Sequence, residues 1–248
     1  MYAICLSSPV GTLTLTSDGT AVTGLWIAGQ KHFPKEVKKA LASVKAAPQL
    51  PIFQQAAHWL DCYFEKSPLP PMPPIRTGGT PFQEAVWQLL RQIPYGQTAT
   101  YGGLSQKLKA RGIASSPQAV GGAVGRNPVS ILIPCHRVLS ADGSLTGYAA
   151  GLWAKLYLLN IEGAQYRKYP CPCCGCYTFS LPARDNTAFI CPVCMWENDV
   201  FAASEDEPSD ENHGITLREA RKNYQTYGVC ELRRKRYARE PFPEELPP

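Results

Sequence analysis

Short apolar and β-branched runs at residues 2–7, 11–16 and 21–28 are separated by "SSPVG" and "SDGT", the punctuation of tight turns. They predict a small antiparallel meander. The apolar period then lengthens. "PKEVKKALASV" predicts a helix opened by Pro34, and "IFQQAAHWLDCYFEK" sets Phe53, Ala57, Leu60 and Phe64 at helical spacing. The connector "SPLPPMPPIRTGGT" lacks too many backbone donors for a regular element. Helix resumes in "TPFQEAVWQLLRQI", with Thr80 as N-cap, Pro81 in the first helical position and a stripe of Phe82, Val86, Leu89, Leu90 and Ile93.

Further on, Thr100 is placed to cap a helix containing Leu104 and Leu108. "RGIASS" turns the chain, and Ser116 with Pro117 opens a second helix through Val124. Two short helices joined this way form a helix-turn-helix candidate. The second is poor in side-chain bulk, with Ala119, Gly121, Gly122, Ala123 and Gly125. That sacrifices helix propensity, which suits either close approach of a partner or tight packing inside the domain. After the glycine-containing loop "SADGSLTGYAAG", "GLWAKLYLLNIEG" predicts a helix with Leu152, Leu156 and Leu159 facing the core and Glu162 where it frays.

Cysteine placement divides the 248 residues. Only Cys5, Cys62 and Cys135 precede residue 166, while the other seven of ten crowd into the last third. Charge divides the same way: residues 1–165 carry 14 Lys/Arg against 7 Asp/Glu, or +7, and residues 166–248 carry 11 against 13, or −2. The first part is therefore the one suited to a polyanion. The N-terminus lacks a basic region followed by a long apolar run, and no stretch of 18 apolar residues occurs, so neither a secretory signal nor a membrane span is expected. A cytoplasmic, reducing location follows as the expectation, and there close-spaced cysteines hold metal more often than disulfides. Within "ILIPCHRVLS", Cys135 reads as a buried thiol, a metal ligand or a nucleophile. The last would need an acid-base group within reach, because the thiolate is the reactive form. His32 and His58 read as surface or ordinary helical histidines.

"PCHRV" at 134–138, preceded by "NP" at 127–128 and followed by "GY" at 147–148 and "EG" at 162–163, closely resembles the O6-alkylguanine-DNA alkyltransferases. The likeness extends through "FQEAVWQLLRQIPYGQTATYGGLS" and "AVGGAVGRNP", strongly over residues 80–165 and more loosely over 1–79. It implies DNA repair by irreversible transfer of an alkyl group from guanine O6, and less well from thymine O4, to a cysteine, with double-stranded DNA bound through its minor groove and the damaged base flipped out. By the same resemblance Cys135 is the acceptor, His136 the base acting through a water, and Glu162 the carboxylate that orients it. Asn127 holds the active-site turn. Tyr101, Arg137, Val138, Tyr148 and Ala149 belong to the substrate pocket and DNA contacts. Gln118 stands where family members insert an arginine into the base stack. Glutamine lacks that charge and planar guanidinium, so lesion recognition with weak transfer is an alternative, with Arg126 or Arg111 as electrostatic compensation.

The tail places Cys171 and Cys174 in one C-x2-C and Cys191 and Cys194 in another, 16 residues apart, a strong pattern for a structural zinc. Cys173 with Cys176 offers a competing register, and His213 and Cys230 further ligands. The segment also resembles the small cysteine-rich domains named for their CPCC motif, over most of residues 168–237. "LREARKNYQTYG" predicts a helix, "ELRRKRYAR" a basic patch that meets phosphates or solvent, and "EPFPEELPP" a flexible tail. A scaffold role with a protein partner is an alternative for this part. The predicted architecture is an α/β N-terminal unit (1–79), a mainly helical alkyltransferase unit with a helix-turn-helix (80–165) and a small zinc-binding C-terminal domain (166–248). A monomer without organic cofactor or membrane partner, and without metal in the N-terminal part, is expected.

Overall fold

The computed structural model describes residues 1–34, 37 and 49–247, and divides into two compact units, Met1–Tyr166 and Arg167–Pro248. Apart from Val37, the helix expected after Pro34 lies outside the described residues.

In the first unit β1 (Tyr2–Leu6), β2 (Leu13–Ser17) and β3 (Val22–Ile27) form the predicted antiparallel meander, pairing Ile4 with Leu15 and Leu15 with Leu25. Trp26 folds back over Gly24, where any Cβ would overlap the indole ring. The outer edge of β3 does not stay open. Val22 donates to the Pro74 carbonyl and Leu25 to that of Pro128, while the amides of Arg76 and Ser130 return bonds to Val22 and Leu25. The proline-rich connector and the segment leading to Cys135 thus cover a strand edge that would otherwise leave backbone groups unpaired.

Helix α1 (Pro51–Phe64) buries Ile52, Phe53, Ala56, Trp59, Leu60 and Tyr63. The expected stripe is rotated: Ala57 and Phe64 sit half-buried at its margin because Trp59 and Tyr63 take the core-facing positions. Helix α2 (Pro81–Arg91) begins with the anticipated Thr80 cap, completed as a capping box by Gln83. A two-residue parallel pair, β4 (Ala99–Thr100) with β5 (Val138–Leu139), leads into α3 (Tyr101–Lys109), capped by Thr100. Helix α4 (Pro117–Gly125) is capped by Ser116, and the Trp87 indole N–H donates to the Ala123 carbonyl at 2.9 Å. Helix α5 (Leu152–Ile161) departs from expectation. It buries Ala154, Lys155, Leu158 and Leu159, leaving Leu152 and Leu156 half-buried, because Lys155 is drawn inward by two backbone carbonyls. One apolar core runs from Val10 to Leu158, so the sheet and the helices of this unit pack together across residues 79–80.

The second unit has little regular structure beyond α6 (Leu217–Tyr227), capped by Thr216 with Glu219 and closed by Gly228 at φ 78°. Its core gathers Phe179, Val193, Trp196 and Ala220 around the cysteines. The terminal segment is not the free tail the composition suggested. Glu245 is buried, its carboxylate takes two bonds from Arg239 at 2.7 Å, and its carbonyl accepts from the Tyr177 amide. A charged residue anchored this way outweighs the disorder-favouring prolines. Among the described residues no helix is long and apolar enough to cross a membrane.

Thr80→Ala removes the Gln83 partner at the start of α2 and is expected to lower the stability of the first unit by about 1 kcal/mol, measured by chemical denaturation.

Candidate active site

The turn carrying Cys135 is built by Asn127. Its side-chain carbonyl accepts from the Val129 amide at 3.0 Å, and its Nδ2 donates to the Ile133 carbonyl at 2.8 Å and to Cys135 Sγ at 3.0 Å. Between them Ile131 holds φ at +69°, a left-handed value that a β-branched residue adopts at a cost of about 1–3 kcal/mol. Pro134 then admits one 3-10 turn, Cys135–Arg137, which points successive side chains in different directions.

His136 and Arg137 both turn toward Glu162. Glu162 Oε1 meets His136 Nε2 at 2.8 Å and accepts from the Tyr63 hydroxyl at 2.6 Å and Arg137 Nη2 at 2.9 Å, while Oε2 accepts from Arg137 Nε at 2.8 Å. All four side chains are buried. Burial alone pushes the Glu162 carboxyl up, but the His136 and Arg137 hydrogen bonds prevail and hold it down at about 2. Burial lowers the His136 pKa despite the carboxylate, so the imidazole is neutral near pH 7. Its Nδ1 is buried with no hydrogen-bond partner among the described residues.

Cys135 is 4% exposed and opens onto a chamber of about 210 Å³. Tyr101 from α3, Gly121 and Gly125 from α4, and Tyr148 and Ala149 from the following loop line it. Burial raises the thiol pKa, and the Asn127 hydrogen bond and the positive field of Lys155 oppose that rise. Lys155 donates to the carbonyls of Val138 at 2.5 Å and Thr146 at 2.7 Å, and burial brings it down to about 8. The Tyr101 and Tyr148 hydroxyls are both raised, chiefly by burial.

Not every residue singled out from the sequence reaches this chamber. Arg137 does not: its Nη1 donates to the Ile93 carbonyl at 2.6 Å, its guanidinium lies over Tyr95, and its charge is spent on Glu162. Gln118 is exposed near the start of α4. The Val138 carbonyl is engaged by Lys155 and retains one lone pair. Sequence reasoning missed Tyr63, which lay off the predicted helical stripe, and Lys155, which stood out only as the single charge within "LWAKLYLL". His32, read as an ordinary surface histidine, lines the chamber.

In the second unit the Sγ atoms of Cys171, Cys174, Cys191 and Cys194 lie within 4.8 Å of one another. The two halves are built alike. The Cys171 amide donates to the Cys176 carbonyl and that of Cys191 to Trp196, while the amides of Gly175 and Met195, both at positive φ, return to the first cysteine of each pair. The Cys171–Cys194 and Cys174–Cys191 sulfur separations of 3.6 and 3.7 Å approach the edge of about 3.8 Å implied by a tetrahedron with metal–sulfur bonds of ~2.3 Å. Cys176 instead faces the Tyr224 hydroxyl, and His213 contacts Glu231 and Arg234.

Residues 81–164 match the 6-O-methylguanine DNA methyltransferase DNA-binding domain, residues 1–72 the ribonuclease-like domain of the same proteins, and residues 169–245 the cysteine-rich CPCC domain. The methylated-DNA–protein-cysteine methyltransferase of Haemophilus influenzae is 39% identical over 167 residues, 67% of this chain and 88% of that protein. The Salmonella typhimurium protein of the same name is 55% identical over 87 residues, 35% of this chain and 49% of that protein. The crystal structure of Mycobacterium tuberculosis OGT in complex with DNA superposes with a TM-score of 0.57 at 34% identity, covering 66% of this chain and 93% of that one. The buried Cys–His–Glu arrangement, the paired helices and these likenesses converge: the chain belongs to the O6-alkylguanine-DNA alkyltransferase family, with an appended cysteine-rich CPCC domain.

Proposed function

We propose that this protein repairs double-stranded DNA by moving an alkyl group from guanine O6, and less readily from thymine O4, onto Cys135 Sγ, once per molecule. The observation that carries the reading is a buried thiol, hydrogen-bonded by Asn127, that lines a chamber and adjoins a buried His136–Glu162 pair. The thiol proton passes through a water to His136 Nδ1, the one imidazole nitrogen left without a partner, while Glu162 holds Nε2 and stabilises the imidazolium. Sγ attacks the alkyl carbon, the carbon–O6 bond breaks, and the electron pair leaves on the guanine. Tyr101, on the chamber wall, donates a proton to the departing base, and the relay restores the hydroxyl. The thioether product has no route back to the thiol. A reducing compartment keeps the acceptor competent.

A guanine in a duplex cannot reach this chamber while stacked, so the nucleotide is flipped out. Helix α4 supports that reading: Gly121 and Gly125 line the chamber, and its low bulk lets backbone approach a minor groove. Gln118 stands where the inserted arginine of the family would be. Arg126 bonds the Gly122 carbonyl and Arg111 faces Gln92, so both are held on the protein. In the second unit the four-thiolate set fits zinc in a structural, coordinatively closed role, held by Cys171, Cys174, Cys191 and Cys194.

Intact mass after incubation with O6-methylguanine duplex is expected to show one methyl added to wild type and none to Cys135→Ala; stable binding with no gain in mass would favour lesion recognition instead. Glu162→Gln leaves Arg137 without its carboxylate. It is expected to destabilise the first unit by about 3–5 kcal/mol in denaturant titration and to slow transfer. Because the Glu162 carboxyl falls from 4.5 in a free chain to about 2 in the fold, its stabilisation is complete above about 4.5 and is lost as pH falls through about 2. Acid titration of wild type against Glu162→Gln should show that difference fading over this window. Chelation should release about one zinc per chain and unfold the second unit locally, seen by metal analysis and by loss of amide protection confined to residues 167–247.

A further inference from the structure

Helices α3 and α4 and the loop of Tyr148 and Ala149 supply most of the lining of the Cys135 chamber. The loop after β3 contributes Lys31 and His32, which face the same cavity as Cys135. The backbone fixes them there. The Lys31 amide donates to the Ala149 carbonyl at 2.8 Å, tying this loop to a segment flanked by Gly147 and Gly151, both at positive φ. His32 sits at φ +63°, a left-handed geometry that glycine adopts freely and that side chains with a Cβ adopt seldom. An imidazole therefore stands where the backbone would favour its absence. Both residues are exposed, and among the described residues neither the Lys31 nor the His32 side chain has a hydrogen bond or ion pair.

From this geometry we infer that His32 is a specificity-determining residue, limiting the size of the alkyl group that can lie beside Cys135 Sγ. The inference rests on the alkyl-transfer reading above and adds a role for the N-terminal sheet region in substrate choice. A methyl group needs little space beyond the purine. A benzyl group must share the chamber of about 210 Å³ with the imidazole ring, which sits on a loop whose preceding residue, Lys31, is bonded through its amide to the Ala149 carbonyl. Differences in apolar volume of a methylene or more are worth roughly 10–200-fold in selectivity, so removing a whole ring lies within measurable range.

The test is single-turnover transfer from duplexes carrying O6-methylguanine or O6-benzylguanine, followed by intact mass, on wild type, His32→Gly and His32→Asn. His32→Gly removes the ring while relieving the left-handed backbone, and His32→Asn keeps a side chain tolerant of that backbone. The benzyl-to-methyl rate ratio is expected to rise about tenfold in His32→Gly and by less in His32→Asn. A ratio that stays within twofold of wild type, or falls, in His32→Gly overturns the inference. Methyl transfer by wild type reports separately on the underlying reading: no methyl gained by wild type would defeat that reading, whereas methyl gained with an unmoved ratio defeats only the role of His32.

Discussion

Four residues converge on the Glu162 carboxylate, and they come from distant parts of the chain: the Tyr63 hydroxyl from α1, the Gly96 amide, and His136 and Arg137 from the turn that carries Cys135. A carboxylate this deeply buried persists as an anion only because each oxygen is satisfied by strong donors. The arrangement has two outcomes. It locks the His136 ring with Nε2 engaged and Nδ1 left over, and it consumes the charge of Arg137, which then serves the protein interior in place of a bound polyanion. The Tyr63 hydrogen bond links α1 to the helical half of the unit, beside the one apolar core that passes through both.

Around the sulfur, burial acts against the chemistry. It raises the Cys135 thiol, lowers His136 and brings Lys155 down to about 8, so each group is driven toward its neutral form. Asn127 and Lys155 work in the opposite direction by favouring the thiolate. A thiol held neutral at rest suits the single use proposed for Cys135. Loss of the proton before a lesion arrives would expose the sulfur to oxidation. The left-handed Ile131 and the tightly bonded Asn127 loop show what keeps the geometry in place: backbone strain balanced by a side chain that bonds three points of the same turn.

The second unit follows a different economy of form. With few regular elements, it depends on two knuckles that repeat the same backbone pattern, Cys171 to Cys176 and Cys191 to Trp196. Four cysteine sulfurs within 4.8 Å of one another would repel as thiolates unless a cation neutralised them, so the zinc proposed for them would couple metal binding to folding.

Local chemistry settled much of this protein before any tertiary contact was known. The apolar and β-branched runs punctuated by turns in residues 2–28 specified the meander, the Thr80, Thr100 and Ser116 caps set the helix starts, and the paired C-x2-C spacing singled out the four sulfurs, because these features arise between residues close along the chain. "PCHRV" and its companion motifs pointed to the acceptor and its relay. What the chain order could not reveal was which groups meet across long separations. Tyr63 reaching Glu162, Lys155 turning inward to two carbonyls, Arg137 facing away from the chamber, His32 facing into it and Glu245 pinning the chain end all depend on packing between remote segments. A side chain's periodic position says which face it occupies; only the folded interior, where burial makes every polar partner count, decides whom it bonds.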